Sequence, residues 1–121
     1  MDQKLLGKKG EETATDFLKK EGYQILDTNF HKRSGEIDII AFDSNFSEYV
    51  FVEVKTRSST TFGFPEESIT VRKQAHMLAA AESYIQEHPD LGNDWRIDVI
   101  AILCQGSTKK HSLKHFENVI T

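Results

Sequence analysis

The chain has 121 residues, 38% of them hydrophobic and 28% charged, and a formal net charge of −4. This length supports one domain with a modest core and not two. No apolar run approaches the ~18 residues of a membrane span, and a lone cysteine, Cys104, excludes an internal disulfide framework.

The first residues, MDQKLLGKKGEE, hold no apolar signal core, so a cytoplasmic protein is expected. A helix is predicted over 5–21, stopped by Gly22. Its apolar positions Ala14, Phe17 and Leu18 share a face, and Glu11 falls on that face. Glu12 is turned about 100° away and should meet solvent.

Residues 22–30 read as a first strand, packed through Tyr23, Ile25 or Leu26, and Phe30. His31, Lys32, Arg33, Ser34 and Gly35 form a basic turn. It suits contact with a phosphate backbone and equally a solvated hairpin loop.

Two further strands follow, over 36–42 and 49–56, joined by a polar loop over 43–48. Both are rich in Ile, Val, Phe and Tyr and bounded by turn formers. Each carries ionisable residues inside its apolar run: Glu36 and Asp38, then Glu53 and Lys55. Side chains alternate faces along a strand, so each of these pairs shares a face. A symmetric hairpin sets Phe42 against Tyr49, Ile40 against Phe51, Asp38 against Glu53 and Glu36 against Lys55. A one-residue slip would put the charges opposite the valines. Opposed carboxylates on a sheet cost up to ~1 kcal/mol, and a divalent cation is the usual reason to keep them. The alternative is an ion-pair patch on a solvated face.

The loop from Arg57 to Pro65 carries Phe62 and Phe64 and borders Lys55. It is either a lid or wedge beside the charged cluster, or plain connection. A second helix is predicted from an N-cap at Thr70 to His88, packed through Ala75, Leu78, Ala79, Ala81 and Ile85. Arg72 and Lys73 in its first turn oppose the helix dipole, which a phosphate contact would explain.

Residues 95–103 form another apolar strand pattern, in which Arg96 and Asp98 read as a pair of charges at a sheet edge. A turn over 105–110 and a weak strand over 113–120 close the chain, with three lysines against one glutamate from Gln105 on. Cys104 reads as a small core or edge residue. No two histidines have metal-ligand or triad spacing, so surface or core roles are expected for all five. The element order is α-β-β-β-α-β-β, an α/β sandwich with a mixed sheet flanked by helices.

Asp followed one strand later by Glu-x-Lys is the residue set of the PD-(D/E)xK nucleases. The chain resembles the YraN family of bacterial proteins through GKKGEETATDFL (7–18), GYQILDTNF (22–30), GEIDIIAFD (35–43), VFVEVKTR (50–57), FGFPEES (62–68) and RIDVIAI (96–102). That family is expected to have a restriction-endonuclease-like core and is compared with archaeal Holliday-junction resolvases. The chain departs from the PD signature in having Ile37 before Asp38.

The resemblance implies a metal-dependent endonuclease. Asp38 and Glu53 would ligate Mg²⁺ or Mn²⁺, with Glu11 a third ligand, direct or through water. Lys55 would orient or deprotonate the attacking water, or stabilise the charge of the transition state. Carboxylate neighbours keep a lysine charged, which favours stabilisation. Glu36 would stand behind the ligands or pair with Lys55. Lys73, or Gln74, would lie near the scissile phosphate. Lys32, Arg33, Arg57, Arg72 and Lys73 are the expected nucleic-acid contacts, with DNA, branched or not, as partner and a homodimer as the form taken by resolvase-like relatives. A nuclease-like binding module without cleavage, and an oligomerising structural protein, are the other classes the residues allow.

Overall fold

The computed structural model describes residues 3–61, 63–91, 94–104 and 111–120. Helix α1 (Gln3–Lys20) precedes strands β1 (Tyr23–Lys32), β2 (Gly35–Asp43) and β3 (Glu48–Arg57). Helix α2 (Val71–Glu87) then leads to β4 (Trp95–Cys104) and β5 (His111–Phe116). The expected order α-β-β-β-α-β-β is the order observed. The predicted turn over 105–110, and Phe62 of the loop beside Lys55, lie outside the described residues.

The five strands form one sheet in the order β1-β2-β3-β4-β5. All neighbours are antiparallel except β3 and β4. A parallel pair needs a crossover, and the segment carrying α2 supplies it. The helices therefore lie on opposite faces. Ala14 and Leu18 of α1 pack on Ile39, Ala41, Val50, Val52, Ile100 and Ile102. Met77, Ala80, Ala81 and Tyr84 of α2 pack on Ile40, Phe51, Ile97 and Val99. No helix of the described residues is long and apolar enough to cross a membrane.

Thr70 caps α2 as expected, its hydroxyl accepting from the Lys73 amide at 3.1 Å. Leu78, Ala81 and Ile85 pack against the core as predicted, but the stripe is centred on other residues. Met77, Ala80, Ala81 and Tyr84 are buried, at helical spacing, while Ala75 is exposed. A small alanine carries too little apolar surface to fix a helix's rotation, whereas Met77 and Tyr84 carry enough.

Two glycines set the closest approaches of helix to sheet. A Cβ on Gly10 of α1 would lie 1.9 Å from Thr56 Oγ1 of β3. Gly35, with φ +157°, starts β2 so close to α2 that a Cβ would lie 2.3 Å from the His76 carbonyl oxygen.

Arg96 and Asp98 are not at a sheet edge. β4 is an interior strand between β3 and β5, and both side chains are buried, Asp98 fully. An apolar run covered on both faces reads alike at the edge and in the middle of a sheet, which is why the sequence did not separate the two. The last strand ends at Phe116, short of residue 120, because the chain turns at Asn118 (φ 53°). There the Asn118 amide donates to Asp98 Oδ1 at 2.9 Å and the Val119 amide to the Ile97 carbonyl at 2.8 Å.

Candidate functional site

The predicted β2–β3 register is the observed one, from Asp43↔Glu48 to Ile39↔Val52. It stops one step before Asp38 and Glu53. There the Val54 amide donates to Asp38 Oδ2 at 2.8 Å instead of to a strand carbonyl. The neighbouring strand is irregular at the same level. β1 carries a bulge at Leu26, between Ile25↔Ala41 and Asp27↔Ile40, and Asn29, which falls opposite Asp38, has φ 54°. Bulges re-aim side chains. Here the two strands part where the carboxylates stand.

The parted strands and the first half of α1 enclose a cavity of about 520 Å³, lined among others by Glu11, Asp38, Glu53, Lys55 and Arg57. Glu53 is 4% exposed. Its Oε1 faces two ammonium groups, Lys73 Nζ at 3.4 Å and Lys55 Nζ at 3.7 Å. Its Oε2 is buried with no hydrogen-bond partner.

Burial, and then the charge of Asp38, push the Glu53 carboxyl up from 4.5 to about 7, against the pull of Lys73 and Lys55. The Asp38 carboxyl is also raised, first by burial, although the Val54 amide and Lys73 oppose it. Glu11 is raised by partial burial and by Asp38 and Glu36. Three carboxyls pushed upward around one cavity form an electrostatic arrangement that a cation would relieve.

The expected residues divide into two groups. Glu11, Asp38, Glu53, Lys55 and Arg57 line the cavity, and Lys73 reaches Glu53 from α2. Lys32, Arg33 and Arg72 do not line it. Lys32 pairs with Glu87 and lies over the Phe30 ring, while Arg33 and Arg72 are exposed. Glu36 pairs with His31 at 3.1 Å and Lys73 at 3.8 Å. Lys55 is not its observed partner, because the ladder that would have set them opposite ends at Ile39. Phe64, half of the expected aromatic lid, points elsewhere: Lys114 of β5 lies over its ring at 5.4 Å.

Among the described residues no group of three or more His, Cys, Asp or Glu side chains is gathered as a metal site. Mg²⁺ does not need one. It binds by one or two carboxylates and keeps several waters. Asp38 and Glu53 supply oxygen donors of that kind, and the unpartnered buried Oε2 of Glu53 is the atom a cation would satisfy. The residues fit such an ion.

A second polar cluster escaped the sequence reading. Arg96 donates to Asp98 Oδ1 (3.1 Å), Asp43 Oδ2 (3.1 Å), Glu48 Oε1 (3.2 Å) and Tyr23 Oη (2.7 Å). His115 meets Asp98 Oδ2 at 2.7 Å. This knot ties the start of β1, the end of β2, the start of β3, β4 and β5 together, and is a stabilising feature. Arg and Asp two residues apart within an unbroken apolar run were its signal in the sequence.

Fold and cavity define a mixed α/β protein whose central strands part around two carboxylates and two lysines. The family model that matches residues 10–102 is described as uncharacterised protein family UPF0102. A UPF0102 protein of Caldicellulosiruptor bescii is 49% identical over 109 residues, 88% of each chain. One of Caldicellulosiruptor saccharolyticus is 47% identical over 102 residues, 84% of this chain and 85% of its own. One of Chlorobium phaeobacteroides is 43% identical over 117 residues, 93% of this chain and 91% of its own. The chain belongs to family UPF0102, the YraN family that its sequence resembles.

Proposed function

We propose that the protein is a metal-dependent endonuclease that hydrolyses phosphodiester bonds of nucleic acid, branched DNA among them, in the cytoplasm. The observation that carries this reading is the Glu53 carboxylate, buried beside Asp38 with Oε2 unpartnered. A buried polar atom without a partner is costly, and Glu53 lines an open cavity together with lysine, arginine and a second carboxylate.

Asp38 and Glu53 would hold Mg²⁺ or Mn²⁺, with Glu11 reaching the ion directly or through a water. When bound, such an ion polarises a phosphoryl oxygen and acidifies a water. The Val54 amide fixes the Asp38 carboxylate by holding Oδ2. Lys73 and Lys55 both face Glu53 Oε1. Lys55, at the cavity wall, is placed to stabilise negative charge on the phosphoryl oxygens as the bond breaks. Arg57 lines the same wall two residues on, where it would take a neighbouring phosphate.

Binding without cleavage is the second reading. It is favoured by the absence, among the described residues, of a gathered set of three metal-binding side chains. One experiment separates the two. Mg²⁺ or Mn²⁺ is titrated with branched, single-stranded and duplex DNA, and products should form with wild type and vanish with Lys55→Ala. Binding with no product under any of these conditions would establish the module. Products that persist in Lys55→Ala would remove Lys55 from its assigned role.

A further inference from the structure

Glu11 also borders a second cavity, of about 430 Å³, lined by Lys8, Glu11, Glu12, Thr15, Asp16, Thr28, Asn29 and Ile39. It lies between α1 and the middle of β1. Residues Leu26, Asp27, Thr28 and Asn29 are all exposed. The bulge at Leu26 and the positive φ of Asn29 bracket Thr28, so the strand curls along this groove.

The chemistry of the walls selects a ligand class. Ile39, Lys8, Thr15 and Thr28 are among its lining residues, and the lining is more apolar than polar. The polar lining residues Asn29, Glu12 and Asp16 are exposed and make up its solvent-facing rim. Apolar walls with a few placed polar groups are how small-molecule pockets of 300–1,000 Å³ are commonly built. Three carboxylates against one lysine repel a phosphate. They accept instead from a ring that carries N–H donors. Thr15 Oγ1 donates to the Glu11 carbonyl at 2.8 Å, so its remaining lone pairs also accept.

We propose that this groove is a pocket for one unstacked, amino-bearing nucleobase, adenine, cytosine or guanine, lying next to the phosphate handled on the other side of Glu11. The proposal rests on the nucleic-acid reading of the neighbouring cavity and narrows it to substrates with an unpaired nucleotide beside the cut. Carboxylates accept from exocyclic amines, and an asparagine side chain pairs with adenine through both its groups. Thymine and uracil offer carbonyls where these bases offer an amine, so the acidic rim disfavours them.

The test uses free nucleosides, which have no phosphate and need no metal. Adenosine, cytidine, guanosine and thymidine are titrated into the full chain, with amide and Asn29 side-chain NMR signals as readout. The amino-bearing nucleosides should shift residues 8–16 and 28–29 and bind at least about 10-fold more tightly than thymidine. Asn29→Gly keeps the positive φ and should weaken them by about 10-fold, while Glu53→Gln leaves their affinity unchanged. No shifts in the groove, or equal affinity for all four, overturns the pocket. Cleavage of DNA with no nucleoside binding would sink the pocket and spare the nuclease reading. Nucleoside binding without cleavage of any DNA would do the reverse.

Discussion

Lys73 Nζ stands 3.4 Å from Glu53 Oε1, nearer than Lys55 Nζ at 3.7 Å, although Lys55 is two residues from Glu53 on the same strand and Lys73 comes from α2, within the crossover. Lys73 also touches Glu36 at 3.8 Å, so it bridges an exposed carboxylate and a buried one. On the nuclease reading the two lysines are not equivalent. Lys55→Ala removes the cation at the cavity wall and should abolish cleavage. Lys73→Ala should raise the Glu53 carboxyl further and reduce kcat by about 10- to 100-fold, in the range of a single lost electrostatic contact. Single-turnover kinetics with Mg²⁺ checks both.

The Glu53 carboxyl should make metal-free stability depend on pH. Its folded-state value is raised from 4.5 to about 7, chiefly by burial. Below 4.5 both states hold the proton and no penalty arises. Between 4.5 and 7 the unfolded chain ionises first, so stability falls as pH rises, by up to about 3 kcal/mol at ~1.4 kcal/mol per unit. Glu53→Gln should therefore match wild type near pH 4 and melt higher than wild type at pH 8 in EDTA.

Divalent cation should act in the opposite direction on wild type only. At 100 times its Kd, Mg²⁺ or Mn²⁺ would stabilise the chain by about 2.7 kcal/mol, read as a rise in Tm that EDTA reverses. Asp38→Asn and Glu53→Gln should lose most of that rise. An unchanged wild-type Tm across millimolar Mn²⁺ would count against the ion.

Arg96 is the residue whose loss should cost the fold most. It is bonded to Asp98, Asp43, Glu48 and Tyr23. Arg96→Met takes the guanidinium from the buried Asp98 and Asp43 carboxylates, and breaking a buried pair in this way costs about 3–5 kcal/mol. Urea denaturation should show a midpoint lowered accordingly, with the slope unchanged.

Gly10→Ala tests how α1 is seated. Alanine favours a helix by up to about 1 kcal/mol. Its Cβ, however, would stand 1.9 Å from Thr56 Oγ1, and overpacking of this kind costs about 1–3 kcal/mol. Sterics should win, displacing Glu11 along with the helix. Gly10→Ala combined with Thr56→Ala should recover more than half of the loss.

Much of this protein was legible before folding was considered. Strand alternation placed Glu36, Asp38, Glu53 and Lys55 on shared faces, and the valine run fixed the hairpin register, because a one-residue slip would have set the charges opposite the valines. The helix stop at Gly22 and the cap at Thr70 were local signals with local causes. Arg96 was misjudged because strand order is not written in a single strand. Its sequence shows an apolar run with two charges, and only the sheet decides whether those charges meet solvent or other buried groups.

The one-dimensional pattern thus determined the elements, their pairing from Asp43↔Glu48 to Ile39↔Val52, and which acids share a side. Tertiary structure alone decided that the ladder stops at Asp38, that Lys73 reaches Glu53, and that Glu53 Oε2 is left without a partner. Periodicity is a property of neighbours along the chain, whereas burial and charge coupling are properties of neighbours in space.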